Sequence, residues 1–478
     1  MATFSNFFGI GKSQAELDFV NVDLDRDTPL FVDPFAISQR PDRWSQASHA
    51  TLANFFQRIV DRIRAGDLEA AFEALTYLRE PNETRLGFSA AKPQGAGIGK
   101  FQAEQLFDAL RSSSAVQTGF ITSLEECELM IEGIGRDKIS DLTTNIIRFH
   151  LAEYTRGQCQ LLGIPIQSCA LSPYYDASRD KWMSDYFDLP VANGKPVLLV
   201  PKLIARYDLS YNHANYYDDF VISYLQAEAL QAGSGLVRTL KDSGRKVVFK
   251  KEVKARFPYS KEFLFRFSKE HPEVLAEYRK SLAEMERASR FSIVTPGDET
   301  KIAKALTDAL QSIPGGNTNA TDYHNLIIGV LEFLLFPNLI NPRKEQEIHQ
   351  GRKRIDIVME NTAMDGVFFR LHAIRKLPCA FAAIECKNYT TEVANPEIDQ
   401  LGGRFSPNRG QFGILCCRQF ENRQAFIERC RDTFRDGRGL IVPLDDQTLI
   451  RMLALVANGD RARLDDVMTN LIDEVWYS

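Results

Sequence analysis

The sequence has few of the residues that mark disulfide, metal or membrane architecture. Its eight cysteines form no CxxC pair, and no Cys/His cluster has the spacing of a zinc site. Cys127, Cys159, Cys169, Cys379, Cys386, Cys416, Cys417 and Cys430 therefore read as reduced and mostly buried. The seven histidines are scattered singly, with no HExxH or similar pair. No window holds eighteen consecutive apolar residues, so there is no candidate membrane span. The stretch Met1-Ala2-Thr3-Phe4-Ser5-Asn6-Phe7-Phe8 lacks the basic start and long apolar run of a signal peptide. The expectation is a cytoplasmic protein with no membrane partner. A net charge of −5 excludes a uniformly basic nucleic-acid coat but says nothing of local patches.

What is present is ordinary globular composition: 478 residues, 44% hydrophobic and 25% charged. That length suits two or more domains. Residues 1–290 read as a mainly α-helical mixed domain for sensing, targeting or oligomerisation. Leu52, Phe55, Phe56, Ile59, Val60 and Ile63 recur at helical spacing, predicting a helix over 50–65. Residues 139–154 and 216–231 also read as helices, and Lys195–Pro201 as a short buried strand. Residues 238–269 hold eleven Lys/Arg against three Asp/Glu, interleaved with Phe249, Phe257, Tyr259, Phe263, Phe265 and Phe267. Lys250, Lys251 and Lys254 are candidate phosphate contacts, with aromatics to stack on bases. The plainer reading is a solvated helical face whose aromatics point into the core.

Turn signals in Thr295-Pro296-Gly297 and Pro314-Gly315-Gly316-Asn317 mark a linker over 291–317 with a short helix, Ile302–Leu310. From 318 to 478, helices alternate with strands, which suggests an α/β domain. The helix over 322–336 is apolar nearly all round, yet carries Glu332, whose charge needs a partner. Arg352-Lys353-Arg354-Ile355-Asp356-Ile357-Val358 is a strand with Asp356 as its one acid. Cys379–Tyr389 is an apolar strand that turns charged at its end. Glu385 and Lys387, two apart, leave by the same face. A carboxylate beside an ammonium there makes sense if one holds a metal and the other faces the reacting group. A short helix over 395–402 brings Gln400.

In that order, helix-Glu332, strand-Asp356, strand Glu385-x-Lys387 and helix-Gln400 resemble the PD-(D/E)XK nuclease superfamily, including Mrr-like defence nucleases. The likeness covers 318–460 and leaves the first 290 residues untouched. Ile355 stands where the motif's proline does, and Arg404 stands four residues after Gln400 where the family often has tyrosine. The resemblance implies a restriction-endonuclease-like domain, a central mixed sheet flanked by helices. It implies Asp356, Glu385 and Glu332 as ligands of Mg²⁺ or Mn²⁺, with Lys387 and Gln400 completing the catalytic set. Arg354 and Arg404 would then track phosphates. The implied activity is hydrolysis of DNA phosphodiester bonds in bacterial anti-phage defence or restriction, with a homo-oligomer or a phage-derived trigger as further partners. An RNA-cleaving toxin-like effector and a non-catalytic nucleic-acid- or partner-binding scaffold stand as alternatives.

Two glycine-rich stretches do not fit a phosphate loop. Asn6 precedes Gly9-Ile10-Gly11-Lys12-Ser13 where the motif needs glycine. Gly95–Lys100 has Gln94 for that glycine and Phe101 for the Ser/Thr.

Overall fold

An aspartate opens the long helix on which the N-terminal half is built. The structure, a computed structural model, describes residues 3–87, 97–240, 244–288, 296–344, 357–391, 395–406 and 410–477. Helix α1, Arg43–Ala65, begins at Asp42, whose carboxylate accepts from the Ser45 N–H at 2.8 Å. It stops at Gly66, whose φ of +80° suits glycine. The apolar face expected from periodicity is buried, and the Asp42 cap carries the helix back beyond residue 50. The helix expected over 139–154 divides at Ile147 into Arg136–Ile146 and α2, Arg148–Leu162. The apolar stretch before Pro201 is buried but does not join a sheet beyond Lys195–Pro196. Its Leu198 and Val200 bond to the backbone of Glu83 and Val20, and Leu199 to the Thr155 hydroxyl. Several two-stranded ribbons complete this half, which is mixed but mainly helical.

The segment expected as a linker carries helix α3, Pro296–Ser312, longer than the short helix anticipated. Ala303, Leu306 and Leu310, at spacings of three and four, are buried in the C-terminal core. Helix α4, Ala320–Leu335, is buried along most of its length, Glu332 included. Five strands follow: β1 Leu339–Arg343, β2 Ile357–Asn361, β3 Phe381–Lys387, β4 Phe412–Cys417 and β5 Leu440–Asp445. They form one sheet in the order β1-β2-β3-β4-β5. The first three are antiparallel; β4 and β5 run parallel to β3, so the sheet is mixed. Helix α5 (Asn395–Gly402) lies between β3 and β4, α6 (Arg423–Arg435) between β4 and β5, and α7 (Asp446–Ala457) and α8 (Leu464–Trp476) follow β5. Helices α3, α4 and α7 pack as one group, while α6 and α8 pack together on β5. The continuous apolar runs of β4 and β5 match strands covered on both faces.

The two halves share buried contacts. Ala15 and Leu161 belong to the C-terminal core. Gln158 donates to the Pro342 carbonyl at 3.0 Å, and Asp18 accepts from the Asn341 N–H at 3.0 Å. No helix among the described residues is long and apolar enough to cross a membrane.

If α3 is core rather than linker, Leu306→Ala should lower the unfolding free energy by about 2–4 kcal/mol. Denaturant titration checks this, and an unchanged midpoint would return α3 to the role of a tether.

Candidate functional site

Strand β3 ends in charge. Alternation along it sends Glu385 and Lys387 to one face, and Lys387 Nζ lies 2.7 Å from Glu385 Oε1. The second carboxylate oxygen, Oε2, is taken by the Arg404 guanidinium. Arg404 follows α5, whose Ile398 and Leu401 are buried and so anchor the helix beside the sheet. Its own backbone N–H turns back to the Leu401 carbonyl at 3.1 Å. Glu385 is 1% exposed and Arg404 4%, while the Lys387 side chain keeps 16% of its surface. A carboxylate so buried requires its cations, and losing one partner of such a pair costs about 3–5 kcal/mol. The trio carries one negative and two positive charges, so its surplus suits an anion.

Strand β2 runs beside this one. Ile357 lies opposite Ile384, Val358 opposite Ala383. The residue after Asp356 therefore faces the residue before Glu385. Asp356 and Arg354 themselves lie outside the described residues.

Three expected placements differ. Glu332 is not beside Glu385. The N-terminal end of α4 adjoins the end of β3: Tyr323 lies near Cys386 and donates to Asp446 at 2.9 Å. Nine residues further, roughly 13 Å along the helix axis, Glu332 meets Lys202 Nζ at 2.9 Å. Lys12 and Asp18 are its other charged neighbours. Arg404 is not a surface phosphate contact, because it is buried on Glu385. Of the basic segment's aromatics, Phe265 and Phe267 point into the core, Phe257 and Phe263 are half-buried, and Phe249 and Tyr259 stay exposed, so the plainer reading holds only for part of the segment. Lys254 pairs with Asp218 at 2.6 Å and Lys250 reaches the Asp218 carbonyl at 3.0 Å, leaving Lys251 exposed on the surface. Gln400 is exposed on α5, and its neighbour Asp399 pairs with Arg438 at 3.1 Å.

Sequence reasoning missed the Glu385–Arg404 pair, although Arg404 occupies the position at which it departs from the family pattern. The setting of Glu332 was also missed. Lys12, in the stretch like a phosphate loop, is buried and donates to the Asn325 carbonyl of α4 at 2.7 Å. Ser13 and Glu16 close a capping box behind it. Tyr154 donates to Asp18 at 2.6 Å. Burial pushes the Glu332 carboxyl up to about 7 against the pull of Lys202, and also raises Asp18 and lowers Lys12.

Among the described residues, no group of three or more His, Cys, Asp and Glu could hold a metal ion. Glu385 offers a carboxylate at this strand end, but both its oxygens accept from cations. The described residues alone do not fit Mg²⁺; a site here needs Asp356 as well.

A family model described as a domain of unknown function, DUF8370, matches residues 9–212. It covers neither the basic segment nor the five-stranded sheet. No curated protein and no solved structure matches the chain.

The Glu332 carboxyl binds its proton more tightly folded than unfolded, so its contribution to stability falls as pH rises from its ordinary 4.5 to about 7. Glu332→Gln mimics the protonated form permanently. Its melting temperature relative to the unmodified chain should climb between about pH 5 and about pH 8. A difference that stays flat across that range would show an ordinary carboxylate.

Proposed function

We propose that the chain is a metal-dependent endonuclease of the PD-(D/E)XK kind, hydrolysing DNA phosphodiester bonds in bacterial defence or restriction. The pairing of Ile357 with Ile384 carries the reading. Ile357 and Ile384, the sequence neighbours of Asp356 and Glu385, thereby meet on adjacent antiparallel strands. The proposal requires that register to run one step further, with Asp356 directly opposite Glu385. Such pairs have Cβ atoms about 4.5–5.5 Å apart, near enough to share an ion. The mixed sheet and the Glu385–Lys387 contact at 2.7 Å support the same reading.

In this reading Asp356 and Glu385 would hold Mg²⁺ or Mn²⁺, and Glu332 drops out of the set. The ion, when bound, supplies an acidified water and neutralises phosphoryl charge. Lys387, the less buried cation of the trio, donates to a non-bridging phosphate oxygen and stabilises the charge that grows there. Arg404 is a positioning residue that holds Glu385 at the strand end. Gln400, exposed on the preceding helix, remains a candidate substrate contact.

The occupied oxygens of Glu385 favour a second reading, a non-catalytic scaffold that binds nucleic acid or a partner through its surplus positive charge. Cleavage assays on duplex DNA and on RNA, with Mg²⁺, Mn²⁺ or chelator, separate the readings. DNA cleavage that needs metal is expected. Asp356→Ala and Glu385→Ala should abolish it, Lys387→Ala should slow it about 100-fold or more, and Glu332→Gln should retain it. Metal-dependent cleavage of RNA alone would select the toxin-like alternative; DNA binding without cleavage would select the scaffold. Full activity in Glu385→Ala would sink the nuclease reading.

If Lys251 touches a phosphate, Lys251→Glu should reduce the salt dependence of duplex binding by about one contact, a change of about 0.9 in log–log slope. An unchanged slope would leave the basic segment a solvated face.

A further inference from the structure

The end of β3 carries chemistry on its other face as well. Cys386 stands between Glu385 and Lys387 in the chain, so its side chain leaves the sheet on the opposite side. In the parallel pairing of β3 with β4, Cys386 lies directly across from Cys416. Residues in register on parallel strands point the same way, so both thiols lie on the α4 side of the sheet. Tyr323 of α4 neighbours both cysteines. Cys417, the next residue along β4, turns instead to the face of Lys387.

This placement suits a covalent link. Neighbouring strands run about 4.8 Å apart. The Cα atoms of a disulfide are usually found roughly 4.4–6.8 Å apart, so the backbone spacing already qualifies. With parallel Cα–Cβ vectors the two Cβ atoms start about as far apart as the strands, and a disulfide draws them to about 3.8 Å. Closure therefore pulls the strands together locally, and a bond under that strain is readily reduced again. Exposure divides the pair. Cys416 is 0% exposed and closed to an oxidant, whereas Cys386 is half-buried at the strand end.

We infer that Cys386 and Cys416 form a reversible disulfide when hydrogen peroxide reaches the end of β3. Cys386 attacks the peroxide: an S–O bond forms, the O–O bond breaks, and the departing hydroxide leaves with the Cys386 proton as water. Cys416 then attacks the resulting sulfenic sulfur. The S–S bond forms, the S–O bond breaks, and the hydroxyl leaves with the Cys416 proton as a second water. Two thiols are oxidised to one disulfide while one peroxide is reduced to two waters. Glu385 and Lys387 adjoin Cys386 on either side, so closure displaces both. Resting on the nuclease reading, the bond is then a brake on the same site.

Peroxide treatment of the full chain, followed by thiol titration in denaturant and peptide mass mapping, tests this. The thiol count should fall by two from eight. The peptides of Cys386 and Cys416 should be joined with the loss of two hydrogens, and dithiothreitol should separate them. Cys386→Ala and Cys416→Ala should each prevent the link, and Cys417→Ala should keep it. A count that stays at eight overturns the inference. So does a link from Cys386 to Cys417, or one between two chains. Oxidation should slow metal-dependent DNA cleavage by about tenfold or more, because a displacement of about 1 Å at a catalytic group costs that much. Dithiothreitol should restore the rate. Undiminished cleavage with the bond mapped would overturn the brake. A reduced chain that cleaves no DNA would sink the nuclease reading, and the mapped bond would still establish the pair.

Discussion

The ion pair between Lys202 and Glu332 is the constraint around which the two halves are joined. Both side chains are at most 5% exposed, and they come from opposite halves of the chain. A buried pair of this kind adds little net stability over an apolar one, but each charge becomes costly if its partner is withdrawn. Lys202 stays close by several means: its Nζ lies over the Phe336 ring at 4.2 Å and contacts the Ala15 carbonyl at 3.4 Å. Lys12 and Asp18 fasten the same region to α4 and to Asn341. The polar groups therefore specify one docking geometry, while Ala15 and Leu161 supply apolar contact around them.

The same logic, with a different result, governs the end of β3. Glu385 is held by Lys387 from its own strand and by Arg404 from beyond α5. One cation is set by strand alternation and the other by how a separate helix packs. The carboxylate is thereby preorganised, and the lysine keeps part of its surface at the edge. Glu332 and Glu385 are both buried acids in the C-terminal half, but they serve different ends of it. The first joins the halves; the second is held between two cations at the end of β3.

The sequence by itself determined the local elements. Period-two alternation was enough to send Glu385 and Lys387 to one face, and helical spacing was enough to bury one side of α1. The apolar surroundings of Glu332 already required a partner for its charge. The turn-rich flanks of α3 concealed its role, because Pro and Gly report where a chain bends and not what the helix between them touches. The mixed sheet was legible only in outline, since strand order depends on pairings between segments far apart.

Which partner each charge found was decided by tertiary structure alone. Arg404 lies 19 residues from Glu385, and nothing in its local pattern says that the turn after α5 folds back onto β3. Lys202 lies in another half of the chain from Glu332. The basic segment shows the same limit. Its aromatics read equally well as base-stacking surface or as core, and the folded chain divides them: Phe265 and Phe267 pack inward while Phe249 and Tyr259 stay exposed. Periodicity is a property of a few consecutive residues, whereas desolvating a charge is a property of everything that closes around it. Only the folded chain settles the second.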